Sequence, residues 1–169
     1  TLVDNYEDEL GDYLVKLSSK NLTETDSDLV NKMLHCIGDL ERISDHSLNI
    51  KEAAEEMHNK GIEFSEEARA ELEVFFRAIR DILKYTIDGL INDDKESAVM
   101  VEPLEEVIDT INDGIKGRHV KRLRKGLCTI ELGFILSDVT NNLERVADHC
   151  SNIAVSELQT GMHEFEAHE

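Results

Sequence analysis

The chain has 169 residues, about one domain, with 40% apolar and 33% charged residues and a net charge of −19. A surface so acidic repels nucleic acid and anionic lipid and attracts cations. No apolar run approaches the ~20 residues that a membrane-spanning helix needs, and one Pro, no Trp and 5% aromatics favour long helices over sheet.

Five helical segments follow in order. The first spans about residues 2–20, with Val3, Tyr6, Leu10, Tyr13 and Leu17 on one face. The second opens near Ser27 and Asp28 and runs to about Asn59. Its seam is Met33, Cys36, Leu40, Ile43, Ser47, Ile50, Ala54 and Met57, and Gly61 closes it. The third starts at Ser65 and carries Leu72, Phe75, Phe76, Ile79, Leu83, Ile87 and Leu90. The fourth covers about 94–116, where Pro103 predicts a kink or a late start. The fifth covers about 129–159 along Leu132, Leu136, Val139, Leu143, Val146, Cys150 and Ile153, and the remainder, 161–169, reads as a frayed tail. Long helices with short connectors make an antiparallel bundle, so the fold class is all-α. Cys36, Cys128 and Cys150 lack Cys-x-x-Cys spacing and read as reduced, mostly buried thiols.

The second and fifth helices share a segment. Leu40-Glu41-Arg42-Ile43-Ser44-Asp45-His46-Ser47-Leu48-Asn49-Ile50 matches Leu143-Glu144-Arg145-Val146-Ala147-Asp148-His149-Cys150-Ser151-Asn152-Ile153 at a constant offset of 103 residues. Two copies of a packing unit explain the apolar matches, whereas the shared Glu, Arg, Asp, His and Asn need another reason. Glu41 with Asp45, and Glu144 with Asp148, are four residues apart and form acidic rows at the edge of each seam, continued by Asn49 in the first copy. Like charges at that spacing repel, so something positive must compensate: Arg42 and Arg145, or a bound cation. Glu105 with Asp109, and Asp8 with Asp12, have the same spacing and are candidate facing rows, with Glu7, Glu9, Glu102 and Glu106 as competitors. His46 and His149 lie about 100° around the helix from the adjacent Asp, which suggests a place beside the seam. The block Lys116, Arg118, Lys121, Arg122, Arg124 and Lys125 reads as a helix C-terminus packed on an acidic body, or as a surface for membrane headgroups.

The doubled Leu-Glu-Arg-(Ile/Val)-(Ser/Ala)-Asp-His segments with a trailing Asn-Ile resemble the signature of the PhoU family, over essentially the whole chain. The segment Arg118 to Leu123, followed by Lys125-Gly126-Leu127-Cys128, is similar to the cytosolic C-terminal domain of bacterial sodium/phosphate cotransporters. The resemblance implies two three-helix repeats. Residues 1–60 would supply the last two helices of a first repeat lacking its first helix, and 61–160 a complete second repeat. The chain would then be a fragment of something longer. It further implies metal ions (iron, zinc, manganese or magnesium) held by Glu41, Asp45, Glu144, Asp148, Glu105, Asp109, Asp8 and Asp12. The implied role is regulation of phosphate uptake without catalysis, on the cytoplasmic side of the membrane. The membrane portion of the same transporter would be the partner, membrane contact would be peripheral, a homodimer would cover an exposed seam, and nucleic acid would not bind. A stand-alone PhoU-type regulator and a metal-free scaffold are the alternatives. Ser44 and Ala147 stand where the family often has Gly, and Asp8 where Glu is common. Together with the missing helix, these departures weigh more on the first-half site than on the second.

Overall fold

The structure is a computed structural model that describes residues 2–166, with side chains as far as Gln159. The described residues form helices α1 (Leu2–Ser18), α2 (Glu24–Lys60), α3 (Glu66–Asn92), α4 (Lys95–Arg124) and α5 (Ile130–Glu166). No strand occurs among them. Of the expected tail, residues 167–169 lie outside the described residues.

Helix ends follow local chemistry. Thr23, not Ser27, caps α2, because its hydroxyl accepts from the Asp26 amide and its carbonyl accepts from the Ser27 amide. Gly61 ends α2 in the left-handed region at φ 63°, which a residue without Cβ adopts freely. Ser65 and Asp94 cap α3 and α4 through the amides of Ala68 and of Glu96 and Ser97. Pro103 does not delay α4, which starts eight residues earlier at Lys95. Nor does α4 stop near Lys116; it continues through the basic block to Arg124, where cations suit the negative end of the helix dipole.

The core lies where α3, α4 and α5 pack together and α2 crosses α5. Phe75, Ile82, Val101, Ile108, Ile115, Leu143, Cys150 and Ile153 are closed to solvent or nearly so. Burial pushes the Cys150 thiol up to about 11, consistent with an unreactive packing residue; all three cysteines are free.

The two repeat helices share one apolar pattern but not one degree of burial. In α5 the expected seam from Leu136 to Ile153 is buried. In α2 only Val30 and Ala53 are buried, and Met33 is 47% exposed. The cause is coverage: α5 is packed closely by α2, α3 and α4, whereas α2 packs closely on α5 and α1. α1 packs on α2 only, through Asp4, Glu7, Gly11 and Leu14 rather than through its apolar face. A Cβ at Gly11 would meet Ile37 Cδ1 at 3.9 Å, an ordinary packing distance. Tyr6, Leu10 and Tyr13 therefore stay exposed.

Candidate metal centres and the repeat interface

The repeated segment meets itself at the α2–α5 crossing. His46 Nδ1 lies 2.8 Å from Asn142 Oδ1, and Asn49 Nδ2 donates to the same oxygen at 2.9 Å. Across the interface His149 Nδ1 lies 2.8 Å from Asp39 Oδ1, and Asn152 Nδ2 donates to that oxygen at 3.4 Å. Asp39 and Asn142 are themselves 103 residues apart, so each repeat's His and Asn grip the same position of the other repeat about a pseudo-twofold. The two imidazoles stack at the centre, with centroids 5.5 Å apart and planes 23° apart. This explains the shared His and Asn without any metal. Asn49 and Asn152 do not extend the acidic rows but face the other repeat.

Asn142, almost fully buried, also donates to the Asp138 carbonyl. Asn142→Ala would strand the imidazole of His46 and the amide of Asn49. It is expected to cost about 1–3 kcal/mol, read as a fall in thermal midpoint of roughly 2–4 °C per kcal/mol for a domain of this size. Asn142→Asp keeps the acceptor for His46 and Asn49 but sets an oxygen against the Asp138 carbonyl and carboxylate, so it should recover only part of that loss.

The carboxylate rows lie on the other flank of each repeat helix. Around α2, single oxygens of Asp4, Glu41 and Asp45 all come within 4.8 Å of one another. Burial pushes the Glu41 carboxyl up, and the charges of Asp45, Asp4 and Glu7 push it further. Asp12 does not take part: it is exposed and pairs with Lys16 one turn on, at 3.8 Å. Asp8 is exposed as well. The facing row in α1 begins one turn earlier than the spacing suggested, at Asp4. Asp4 and Asp8 precede Glu105 and Asp109 by the same 101 residues, and burial agrees: Asp4 and Glu105 are half-buried, Asp8 and Asp109 exposed.

Around α5, Glu105 from α4 stands near Asp148. Burial pushes its carboxyl up, and Asp109, Asp148, Glu102 and Glu106 add to the effect. Here, however, the chain supplies its own compensation. Asn112 Nδ2 donates to Glu144 Oε2 at 2.7 Å, and Lys116 Nζ lies 3.6 Å from the same atom. Arg145 Nη1 donates to Asp148 Oδ2 at 3.0 Å, and Ser151 donates to Glu102. The first-half cluster, on which the sequence departures weighed more, is thus the one where Glu41 and Asp45 lack such partners among the described interactions. Three carboxylate oxygens from two helices suit a hard divalent ion, and no Lys or Arg contact to Glu41 or Asp45 occurs among the described interactions.

The basic block is divided. Arg122 grips Glu71 with both terminal nitrogens, at 2.9 and 3.0 Å, and Arg118 adds a third bond at 2.7 Å. Burial alone would push the Glu71 carboxyl up, but these hydrogen bonds outweigh it and hold it below the usual carboxylate range. Lys121, Arg124 and Lys125 are exposed. No helix among the described residues is long and apolar enough to cross a membrane.

Comparison with known proteins agrees with this architecture. The model of the PhoU domain family matches residues 2–64 and 72–156. A curated relative, the phosphate-specific transport system accessory protein PhoU homolog 1 of Thermotoga maritima, is 31% identical over 131 residues. These are 75% of this chain and 56% of the relative, so the chain spans about half the relative's length. The crystal structure of PhoU from Pseudomonas aeruginosa superposes with a TM-score of 0.88 over 96% of this chain and 77% of its own. At 18% identity it bears on the fold alone.

Proposed function

Because this chain belongs to the PhoU family, we propose that it is a regulatory domain that modulates phosphate uptake, with a divalent cation joining α1 to α2. The Thermotoga relative is named as an accessory protein of a phosphate-specific transport system. That name supports a PhoU-type accessory regulator ahead of a domain built into a sodium/phosphate cotransporter. The partner on this reading is the membrane-embedded transport machinery.

The observation that carries the metal part is the meeting of Asp4, Glu41 and Asp45 within 4.8 Å. Asp4 comes from the first turn of α1, and Glu41 and Asp45 from successive turns of α2, so a cation bound there neutralises the repulsion and ties the two helices together. Around α5 a specific observation favours the metal-free alternative: Lys116, Arg145 and Asn112 already hold Glu144 and Asp148. The two halves use one motif in two ways, with an added cation in one and the chain's own donors in the other.

The regulatory role is tested in the native host by deleting the gene and following uptake of radiolabelled phosphate in phosphate-replete and phosphate-starved cells. The expected result is uptake that no longer responds to phosphate supply, restored by the wild-type gene. Uptake that responds normally in the deletion strain would overturn the role.

A further inference from the structure

The pseudo-twofold produces two clefts between α2 and α5, and their chemistry differs. One, of about 570 Å³, lies between the C-terminal half of α2 and the N-terminal half of α5. It presents Glu56, Glu131 and Asp138, with Lys60 held between Glu56 and Glu131 at 2.6 Å from each. Its counterpart, of about 710 Å³, lies between the N-terminal half of α2 and the C-terminal half of α5. Lys32, His35, Arg42, His149, Asn152 and Ser156 line it. Among the described residues one carboxylate lines it, Asp39, which accepts from Asn152 and pairs with His149.

Lys32, His35, Asp39 and Arg42 follow spacings of three and four, so they share one face of α2. In a chain with 37 acidic residues against 18 Lys and Arg, the described residues bring two cations, two imidazoles and one carboxylate to this concave surface. An anion placed there is attracted locally although the protein as a whole repels it. The planar fork of an arginine matches a phosphate or carboxylate group, a lysine adds a point charge, and Asn and Ser add neutral donors. The volume exceeds that of a single oxyanion and leaves room for a larger phosphorylated molecule.

We propose that this α2–α5 cleft binds a small phosphate-bearing anion, with Arg42 and Lys32 as its charged contacts and Asn152 and Ser156 as neutral donors. None of Asp4, Glu41 and Asp45 lines this cleft. The inference stands on the cleft's own chemistry. Its failure in a binding assay would leave the regulatory reading, which is tested by uptake in cells, intact.

The test is titration calorimetry of the full chain with inorganic phosphate and, separately, with adenosine triphosphate, at constant ionic strength and without divalent metal. Losing one charge-assisted hydrogen bond predicts about tenfold weaker binding in Arg42→Gln and in Lys32→Gln. Lys60→Gln, which removes a cation from the opposite cleft, should change affinity less than about twofold. Saturable binding of inorganic phosphate with this variant pattern identifies free phosphate as the ligand. The same pattern with the nucleotide alone identifies a phosphorylated metabolite. If neither ligand titrates, or if Lys60→Gln weakens binding as much as Arg42→Gln, the proposal is overturned. Arg42 is exposed, so its variant should keep the wild-type melting curve, and a measured loss of binding then reports on the cleft.

Discussion

Glu41→Ala combined with Asp45→Ala is expected to abolish metal binding, while Glu144→Ala combined with Asp148→Ala leaves most of it in place. Elemental analysis of the tag-free protein, after exposure to iron, manganese, zinc or magnesium and exhaustive dialysis, should find roughly one ion per chain in the wild type and essentially none in the first variant. Three carboxylates from two helices converge in the first half, whereas Lys116, Arg145 and Asn112 already serve Glu144 and Asp148 in the second. A cation present at about a hundred times its dissociation constant stabilises the native state by about 2.7 kcal/mol, roughly 5–11 °C in melting temperature.

The sign of the pH dependence follows from Glu41. Its carboxyl is raised by burial and then by Asp45, Asp4 and Glu7, so the folded state holds that proton more tightly than the unfolded chain does. Without metal, the repulsion is absent in acid and appears as the pH rises through the carboxylate range. Metal competes with the same protons, so its stabilising effect should grow over that range and vanish below it. Loss of metal from the Glu144 and Asp148 variant alone would reverse the assignment of the two halves. No metal in any protein would leave both rows as electrostatic packing devices.

Arg122→Ala should be the most damaging single change at a polar residue. Arg122 is 7% exposed and holds Glu71 through two bonds of 2.9 and 3.0 Å. Its removal leaves the carboxylate, itself largely buried, with only the Arg118 bond at 2.7 Å. Breaking a buried pair by deleting one partner costs about 3–5 kcal/mol, and the surviving Arg118 contact places this case toward the lower figure. Denaturant unfolding should show that loss. Arg122→Lys keeps the charge without the fork and should recover only part of it. Because Glu71 titrates below the usual carboxylate range in the folded protein, the pair's contribution is present above that range. It is lost as pH falls through the lowered folded value. The gap between wild type and Arg122→Ala should therefore narrow in strong acid. A gap that stays constant with pH would mean that Arg122 acts through its aliphatic stem.

The all-helical class, the helix order and the buried seam of α5 were legible in the residue pattern, because apolar spacings of three and four repeat without interruption from Leu136 to Ile153. So was the internal repeat. Its meaning was legible only in part. Sequence spacing sets Glu41, Asp45, His46 and Asn49 around one helix but does not say what faces each of them. The i, i+4 pattern alone puts Asn49 in the acidic row. The fold instead turns it toward Asn142, where a polar group on a buried flank needs a partner. Asp12 lies apart from the Asp4, Glu41 and Asp45 group for the same reason. Every fourth residue of α1 is acidic from Asp4 to Asp12, and only the packing of α1 on α2 selects Asp4.

By itself, then, the sequence determined the elements, the repeat and the carboxylate and histidine types that carry its chemistry, because these depend on local periodicity and composition. The tertiary structure alone decided which repeat supplies its own counter-charges, which end of the α2–α5 crossing is cationic, and why α5 is buried where α2 is half open. Each of these depends on contacts between residues far apart in the chain, and a helical period cannot encode what stands across from it.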